Sequence, residues 1–254
     1  MSASVEWWRT FFERNALELW RRAHSPEQNR AEASDLQHAL RVSAGARVLD
    51  VPCGDGRLSL ELAARGLFVT GLDASGAALE VATERSRERG LEVTLFRGDM
   101  RSLTWHAEFD AAFCMGNSFG YFDRVGDLAF LRAVANALRP GGCFVIEYPL
   151  LEELLPRAGH LRDWFDFGEQ LLLIEGELDP NARRLDADYH VLRWSSGHVQ
   201  RETKHASYHV YDRGELGVLL AEAGFMAIEH LANLGGTEFR PTDTRYYVRA
   251  VRHA

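Results

Sequence analysis

Cysteine is scarce: the 254 residues contain three, Cys53, Cys114 and Cys143. They fall in or beside apolar runs and have no metal-ligand spacing. This excludes a disulfide scaffold and a zinc module, and it points to reduced structural thiols in a cytoplasmic protein. No metal is expected. No apolar run approaches the ~20 residues of a membrane span, and the N-terminus has no signal-peptide core, so no membrane partner is expected. Positive charge is not in excess either. Lys and Arg number 29 against 37 Asp and Glu, a net charge of −8, which removes the electrostatic footprint of a nucleic-acid binder. The arginines are interleaved with acids, as in Glu84-Arg85-Ser86-Arg87-Glu88-Arg89, the pattern of a solvated helix face. Internal repeats and low-complexity tracts are missing. What remains, with 46% hydrophobic residues, is the composition of a globular enzyme-sized chain, one large domain or one domain with an insertion.

The most informative segment is Val48-Leu49-Asp50-Val51-Pro52-Cys53-Gly54-Asp55-Gly56-Arg57. A short apolar strand ends in an acid, a loop with two glycines follows, and a helix opens at about Arg57. A second strand ends at Val69-Thr70-Gly71-Leu72-Asp73. Glycine accepts positive φ and lets backbone approach a ligand closely. In open α/β sheets ligands bind at the C-terminal strand ends, and a carboxylate at Asp73 suits a pair of ribose hydroxyls.

Strand and helix patterns alternate to about residue 148. Predicted strands are Ala46–Pro52, Leu67–Asp73, Leu91–Arg97, Phe109–Cys114 and Cys143–Tyr148. Predicted helices are Ser4 to about Arg22, a second from the Ser25-Pro26-Glu27-Gln28 cap to about Val42, then Arg57–Arg65, Gly76–Arg89 and Asp127–Leu138. The spacing predicts a Rossmann-like, seven-stranded, mostly parallel sheet with helices on both faces. Beyond residue 150, Glu169–Asp179, Leu185–Ser195 and His198–Tyr211 read as antiparallel strands separated by turn signals at Asp179-Pro180-Asn181 and Ser195-Ser196-Gly197. Arg213–Ala223 reads as a helix, and Phe225–Leu234 and Tyr246–Arg252 as the last strands of the main sheet. The domain plan is a helical cap over 1–45, the sheet domain over 46–150 and 213–254, and an inserted antiparallel β lid over 151–212. The alternative for the insertion is a dimerising sheet, so a homodimer stays open.

The Asp50–Arg57 loop with Asp73 behind it resembles the class I S-adenosylmethionine (SAM) methyltransferases. Met115-Gly116-Asn117-Ser118-Phe119, after the fourth strand, resembles the corresponding loop of the glycine N-methyltransferase type. The resemblance implies SAM as cofactor and S-adenosylhomocysteine as product. It implies cofactor binding by Asp50, Pro52, Gly54, Gly56, Asp73, Ala74, Met115 and Asn117. It adds Asp99, to accept from the adenine amino group, and Met100, packed on the ring. The alternative for Asp99 is a helix N-cap. Trp20 and Arg30 match the positions of a tryptophan and a carboxylate-pairing arginine in that family. Their alternatives are a core aromatic and a solvated helix residue.

Departures from the family pattern bear on the substrate. Pro52 replaces a common glycine, and Glu147-Tyr148-Pro149 lacks the arginine that holds the amino-acid carboxylate in glycine-specific members, so glycine is not the expected acceptor. Tyr121 stands where that family has a histidine. Tyr121 and Tyr148 are the candidate catalytic residues. Among the histidines considered, His205 and His209 share a strand face that reads as solvent-facing. Trp7, Trp8, Phe11 and Phe12 suit either a substrate pocket or a plain core. The expected activity is transfer of a methyl group to a small-molecule acceptor, first at nitrogen; O-methylation and SAM binding without turnover are the alternatives. A nicotinamide-dependent oxidoreductase is disfavoured, since Ser59 stands where G-x-G-x-x-G needs its third glycine.

Overall fold

A computed structural model describes residues 6–12, 19, 21–154, 161–195, 198–240, 243 and 245–254. Trp20 and part of the predicted first helix lie outside them. Within the described part, that helix gives the short α1 (Trp8–Phe11), which ends where Phe12 leaves helical geometry, and helical positions again at Leu19, Arg21 and Arg22. α2 (Pro26–Ala39) begins as predicted: the Ser25 hydroxyl accepts from Gln28 N–H and the Gln28 side chain reciprocates, a capping box with proline in the first turn.

Then come β1 (Arg47–Asp50), α3 (Arg57–Ala64), β2 (Phe68–Asp73), α4 (Gly76–Glu88), β3 (Val93–Arg97) and a 3-10 turn, Met100–Ser102. β4 (Phe109–Cys114), α5 (Arg124–Ala137) and β5 (Leu138–Glu147) follow. α5 starts three residues before the predicted Asp127 because the Asp123 side chain caps it, accepting from Gly126 N–H. β5 also starts early. Leu138 pairs with Phe109 and Cys143 with Ala111, so the Arg139–Gly142 turn bulges out of the ladder, and Gly141 there takes φ +78°.

The main sheet has the strand order β10-β11-β5-β4-β1-β2-β3, where β10 is Phe225–Leu231 and β11 is Tyr247–Arg252. β1 to β5 run parallel, and β11 runs antiparallel to β5 and β10. Strands covered on both faces read as continuous apolar runs. In β1, Val48 enters the core packed by Leu36 of α2 and Leu58 and Leu62 of α3, while Leu49 enters the opposite core with Phe130 of α5 and Leu216 of α7 (Arg213–Glu222). The chain order reverses between β1 and β4, which opens the crevice where such sheets take ligands.

Between β5 and α7 lie the short α6 (Leu151–Leu154) and a separate antiparallel sheet, β6-β7-β8-β9. Three strands match the prediction: β7 (Gln170–Asp179), β8 (Arg184–Ser195) and β9 (His198–His209). The fourth, β6 (Leu161–Asp166), is an unpredicted edge strand. Only Leu161 of its six residues is buried, so its sequence lacks the apolar alternation that marks a half-buried strand. The two sheets are tied where β9 ends: His209 N–H donates to Gly120 O at 2.7 Å, and Leu151 N–H to Tyr211 O at 3.0 Å.

Candidate active site

At the C-terminal ends of β1 to β5, under the inserted sheet, lies a cavity of about 590 Å³, within the range of about 300–1,000 Å³ usual for small-molecule sites. Its floor is the loop after β1. Gly54 takes φ +54° and a Cβ there would meet no heavy atom within 4 Å, so the backbone is bare on that side. Gly54 N–H donates to Asp73 Oδ2 and Ser75 N–H to Oδ1, both at 2.8 Å. Burial pushes the Asp73 carboxyl up and these N–H donors pull it down. Each oxygen keeps a further lone pair for a ligand. Asp50, also buried, accepts from the Ser59 hydroxyl at 2.6 Å and is pushed up to about 8 by desolvation. Asp99 serves both readings: it caps the 3-10 turn, accepting from Arg101 N–H at 2.9 Å, and it lines the cavity beside Met100. Burial would raise it, but the Arg101 guanidinium at 2.6 Å outweighs burial and holds it below the ordinary carboxylate range. Pro52, Ala74, Met115 and Asn117 line the same space.

Two expected cofactor residues stand elsewhere. Gly56 takes φ +73° to open α3, and a Cβ there would lie 3.1 Å from that of Ala82; it lets α3 pack on α4 and does not line the cavity. Arg30 lies on the solvent side of α2, its guanidinium bonded to Glu27 at 2.7 Å. The cavity instead holds charged groups that the sequence reading missed: Glu32 and Arg57, joined in an ion pair, with His24, Glu147 and Arg245. Arg57 is also held by Asn29 Oδ1 at 3.0 Å. Glu147, raised by burial, accepts from Gly116 N–H at 2.8 Å. Glu147 was findable as an acid at a strand end. Arg245 was not, because its approach depends on β11 pairing with β5.

The remaining wall is aromatic. Trp8, Phe11 and Phe12 line it, as do Tyr121 and Tyr148. Trp7 packs behind, 4.8 Å from Tyr121 and 5.1 Å from Tyr208 between ring centres, and its indole N–H donates to Ser207 O. Burial drives the Tyr121 phenol well above its ordinary range, so it stays protonated. The Tyr148 hydroxyl donates to His209 O at 2.9 Å and accepts from Tyr211 N–H at 2.7 Å. It joins the two sheets through these two bonds. His209 was expected to face solvent. It is half-buried on the cavity wall, because β9 ends against Gly120, and burial lowers its pKa, leaving the ring neutral at pH 7. His205 is exposed, beside Asp188.

Behind the aromatic wall, Asp127 is fully buried and accepts from the Tyr211 hydroxyl at 2.8 Å. Desolvation pushes it up to about 7, against that hydrogen bond. An acid with a raised folded pKa holds more protons folded than unfolded. Its stabilisation is present below the unfolded carboxylate value of about 4 and is lost as pH rises through about 7. The melting temperature should therefore be lower at pH 8 than at pH 5. Asp127→Asn, which keeps the shape and an acceptor, should shrink that difference, and an unshrunk difference in a thermal scan would remove Asp127 as its source.

Among the described residues no group of three or more His, Cys, Asp or Glu could hold a metal ion, and no helix is long and apolar enough to cross a membrane.

Residues 48–142 match the family described as a methyltransferase domain. The chain is 34% identical over 123 residues to glycine N-methyltransferase of Rattus norvegicus, covering 43% of this chain and 42% of that one. It is 34% identical over 162 residues to a ubiquinone biosynthesis O-methyltransferase of Alkalilimnicola ehrlichii, covering 56% and 60%. The chain thus spans less than two thirds of the length of these curated relatives. The CcbJ methyltransferase of Streptomyces caelestis superposes with a TM-score of 0.83 at 20% identity, over 99% of this chain and 100% of that one. At that identity the likeness is one of fold. The match over residues 48–142 agrees with the resemblance read in the Asp50–Arg57 loop, and the fold is a Rossmann-like sheet with an inserted antiparallel sheet.

Proposed function

We propose that this protein is a SAM-dependent methyltransferase that methylates a small molecule at nitrogen, with residues 151–212 serving as a substrate lid. The observation that carries the reading is the cavity at the β1–β5 strand ends, in which the Asp73 carboxylate is held in place by Gly54 and Ser75 N–H groups. The residues present fit the cofactor. Asp73 has lone pairs for two ribose hydroxyls, Asp99 and Met100 stand next along the sheet edge, and the Arg57–Glu147–Arg245 corner offers both charge signs to an α-amino-acid end. When bound, SAM supplies a sulfonium methyl carbon to an in-line nucleophile: the nitrogen–carbon bond forms as the carbon–sulfur bond breaks, the electron pair leaves on sulfur, and S-adenosylhomocysteine is released. The protein's part is positioning and exclusion of water. His209, neutral at pH 7, can take the nitrogen's proton, and Tyr121 orients.

Incubation with methyl-labelled SAM and a fractionated metabolite extract tests the reading. Label in a small molecule retained on a cation exchanger is expected. Label in a neutral product would move the acceptor atom to oxygen, as would suit the ubiquinone-type relatives. Label in macromolecules alone would overturn the small-molecule reading, and cofactor binding with no label in any fraction would leave a binding protein.

The two arginines separate the structure's site from the one expected by resemblance. Arg57→Ala should weaken S-adenosylhomocysteine binding about tenfold, as for one charged hydrogen bond, whereas Arg30→Ala should leave it unchanged. Calorimetric titration giving the reverse order would return the carboxylate contact to Arg30.

A further inference from the structure

Resting on the methyltransferase reading, we propose that the acceptor is an amine carried on a flat, apolar ring body, uncharged when it sits in the cavity. The observation is the aromatic wall of the cavity. Three segments far apart in sequence build it: the N-terminal segment with Phe11 and Phe12, the loop after β4 with Tyr121, and the inserted sheet with Leu185, Tyr189 and Tyr208. The rings interlock. Phe11 meets Tyr189 edge-on at 5.0 Å, Tyr121 lies 5.7 Å from Tyr208, and Phe12 stacks on Tyr121 at 6.4 Å with 23° between planes. Such walls accept a planar ring on faces and edges alike.

The charge pattern is equally one-sided. Among the described residues, every carboxylate and guanidinium that lines the cavity comes from the β1–β3 and β5 ends, from α2 and α3, or from Arg245. Among the described residues, none of those that the three aromatic segments contribute to the cavity carries a carboxylate, guanidinium or ammonium group. His209 is the titratable ring there, and burial keeps it neutral. The Tyr189 and Tyr208 hydroxyls are 3.2 Å apart, one donating to the other. A carboxylate, phosphate or many-hydroxyl body placed here would exchange its water for few polar partners and no countercharge among the described residues, which is costly for charges and for polar groups alike. Desolvation also favours the neutral form of an entering amine, the form whose lone pair can react.

The test uses purified full chain and calorimetric titration. S-adenosylhomocysteine is titrated first. The saturated complex is then titrated with 1-naphthylmethylamine, glucosamine and glycine as probes. The naphthyl amine is expected to bind at least tenfold more tightly than either polar amine. Tyr208→Ala should weaken the naphthyl amine at least tenfold, Tyr208→Phe less than threefold, with S-adenosylhomocysteine affinity within twofold in both. If Tyr208→Ala loses S-adenosylhomocysteine binding through misfolding, Tyr189→Leu, which removes a flat face at similar bulk, should show the same tenfold loss. Equal or tighter binding of glucosamine or glycine, no binding of the naphthyl amine, or indifference of its affinity to Tyr189→Leu overturns the proposal while the methyltransferase reading stands. Wild-type protein that fails to bind S-adenosylhomocysteine overturns both.

Discussion

Asp73→Ala is expected to reduce S-adenosylhomocysteine affinity by about 100-fold or more, the largest loss of any single substitution in the cavity. Two effects add. The carboxylate is placed for two charge-assisted hydrogen bonds to the ribose, and each contributes about 1.5–3 kcal/mol. The same carboxylate also holds the Gly54 and Ser75 N–H groups at 2.8 Å, so alanine would leave both without their acceptor and loosen the loop under the ligand. Asp73→Asn separates the effects. The amide keeps one acceptor oxygen but turns a second acceptor into a donor, so its affinity should fall between the two. Titration calorimetry and thermal unfolding on the same samples would show binding lost well beyond stability. Affinity unchanged in Asp73→Ala would take Asp73 out of the site.

Gly120→Ala is expected to lower the melting temperature by about 5–15 °C. Gly120 takes φ +84°, and a Cβ there would lie 2.5 Å from His209 O and 3.3 Å from Tyr148 Cε2. The first contact is backbone, and the strand that owns it is bonded back to Gly120 O at 2.7 Å, so relief requires the two sheets to part. Positive φ in alanine costs roughly 1–2 kcal/mol, and the clash brings the total to about 2–4 kcal/mol. In a chain of this size each kcal/mol lowers the melting point by about 2–4 °C. Gly141→Ala is the control. It has φ +78° and nothing within 4 Å of a Cβ, so it should show the conformational cost alone. Equal shifts in the two variants would mean that the Gly120–His209 contact yields easily. A larger shift for Gly120→Ala should come with weaker acceptor binding, because Tyr148 and His209 both line the cavity.

The main sheet was largely legible in the sequence because parallel strands covered on both faces leave unbroken apolar runs, and their ends carry glycine and acid punctuation. Val48–Asp50, Val69–Asp73 and Phe109–Cys114 announce themselves that way. β6 did not, since an edge strand with one buried residue leaves no alternation to read. The start of β5 was obscured by the Arg139–Gly142 turn, which looks like a strand boundary and is a bulge within the ladder.

The candidate site divides along the same physical line. Gly54, Asp73, Asp99 and Met100 lie within a few residues of strand ends, where local pattern and position on the sheet coincide, so the sequence by itself determined them as candidates. Arg57 and Glu147 lie as near to strand ends, but their distinction from Arg30 rests on which way a helix or strand turns its side chains toward the cavity. Arg245, the aromatic wall and the turn of His209 from a solvent-facing strand position into the cavity were decided by tertiary structure alone. Each depends on pairing between segments far apart in the chain: β11 against β5, the N-terminal segment against β9, the end of β9 against Gly120. Local propensity carries the periodicity of an element. It does not carry the partner that covers the element's face, and that partner determines whether a polar ring meets water or a ligand.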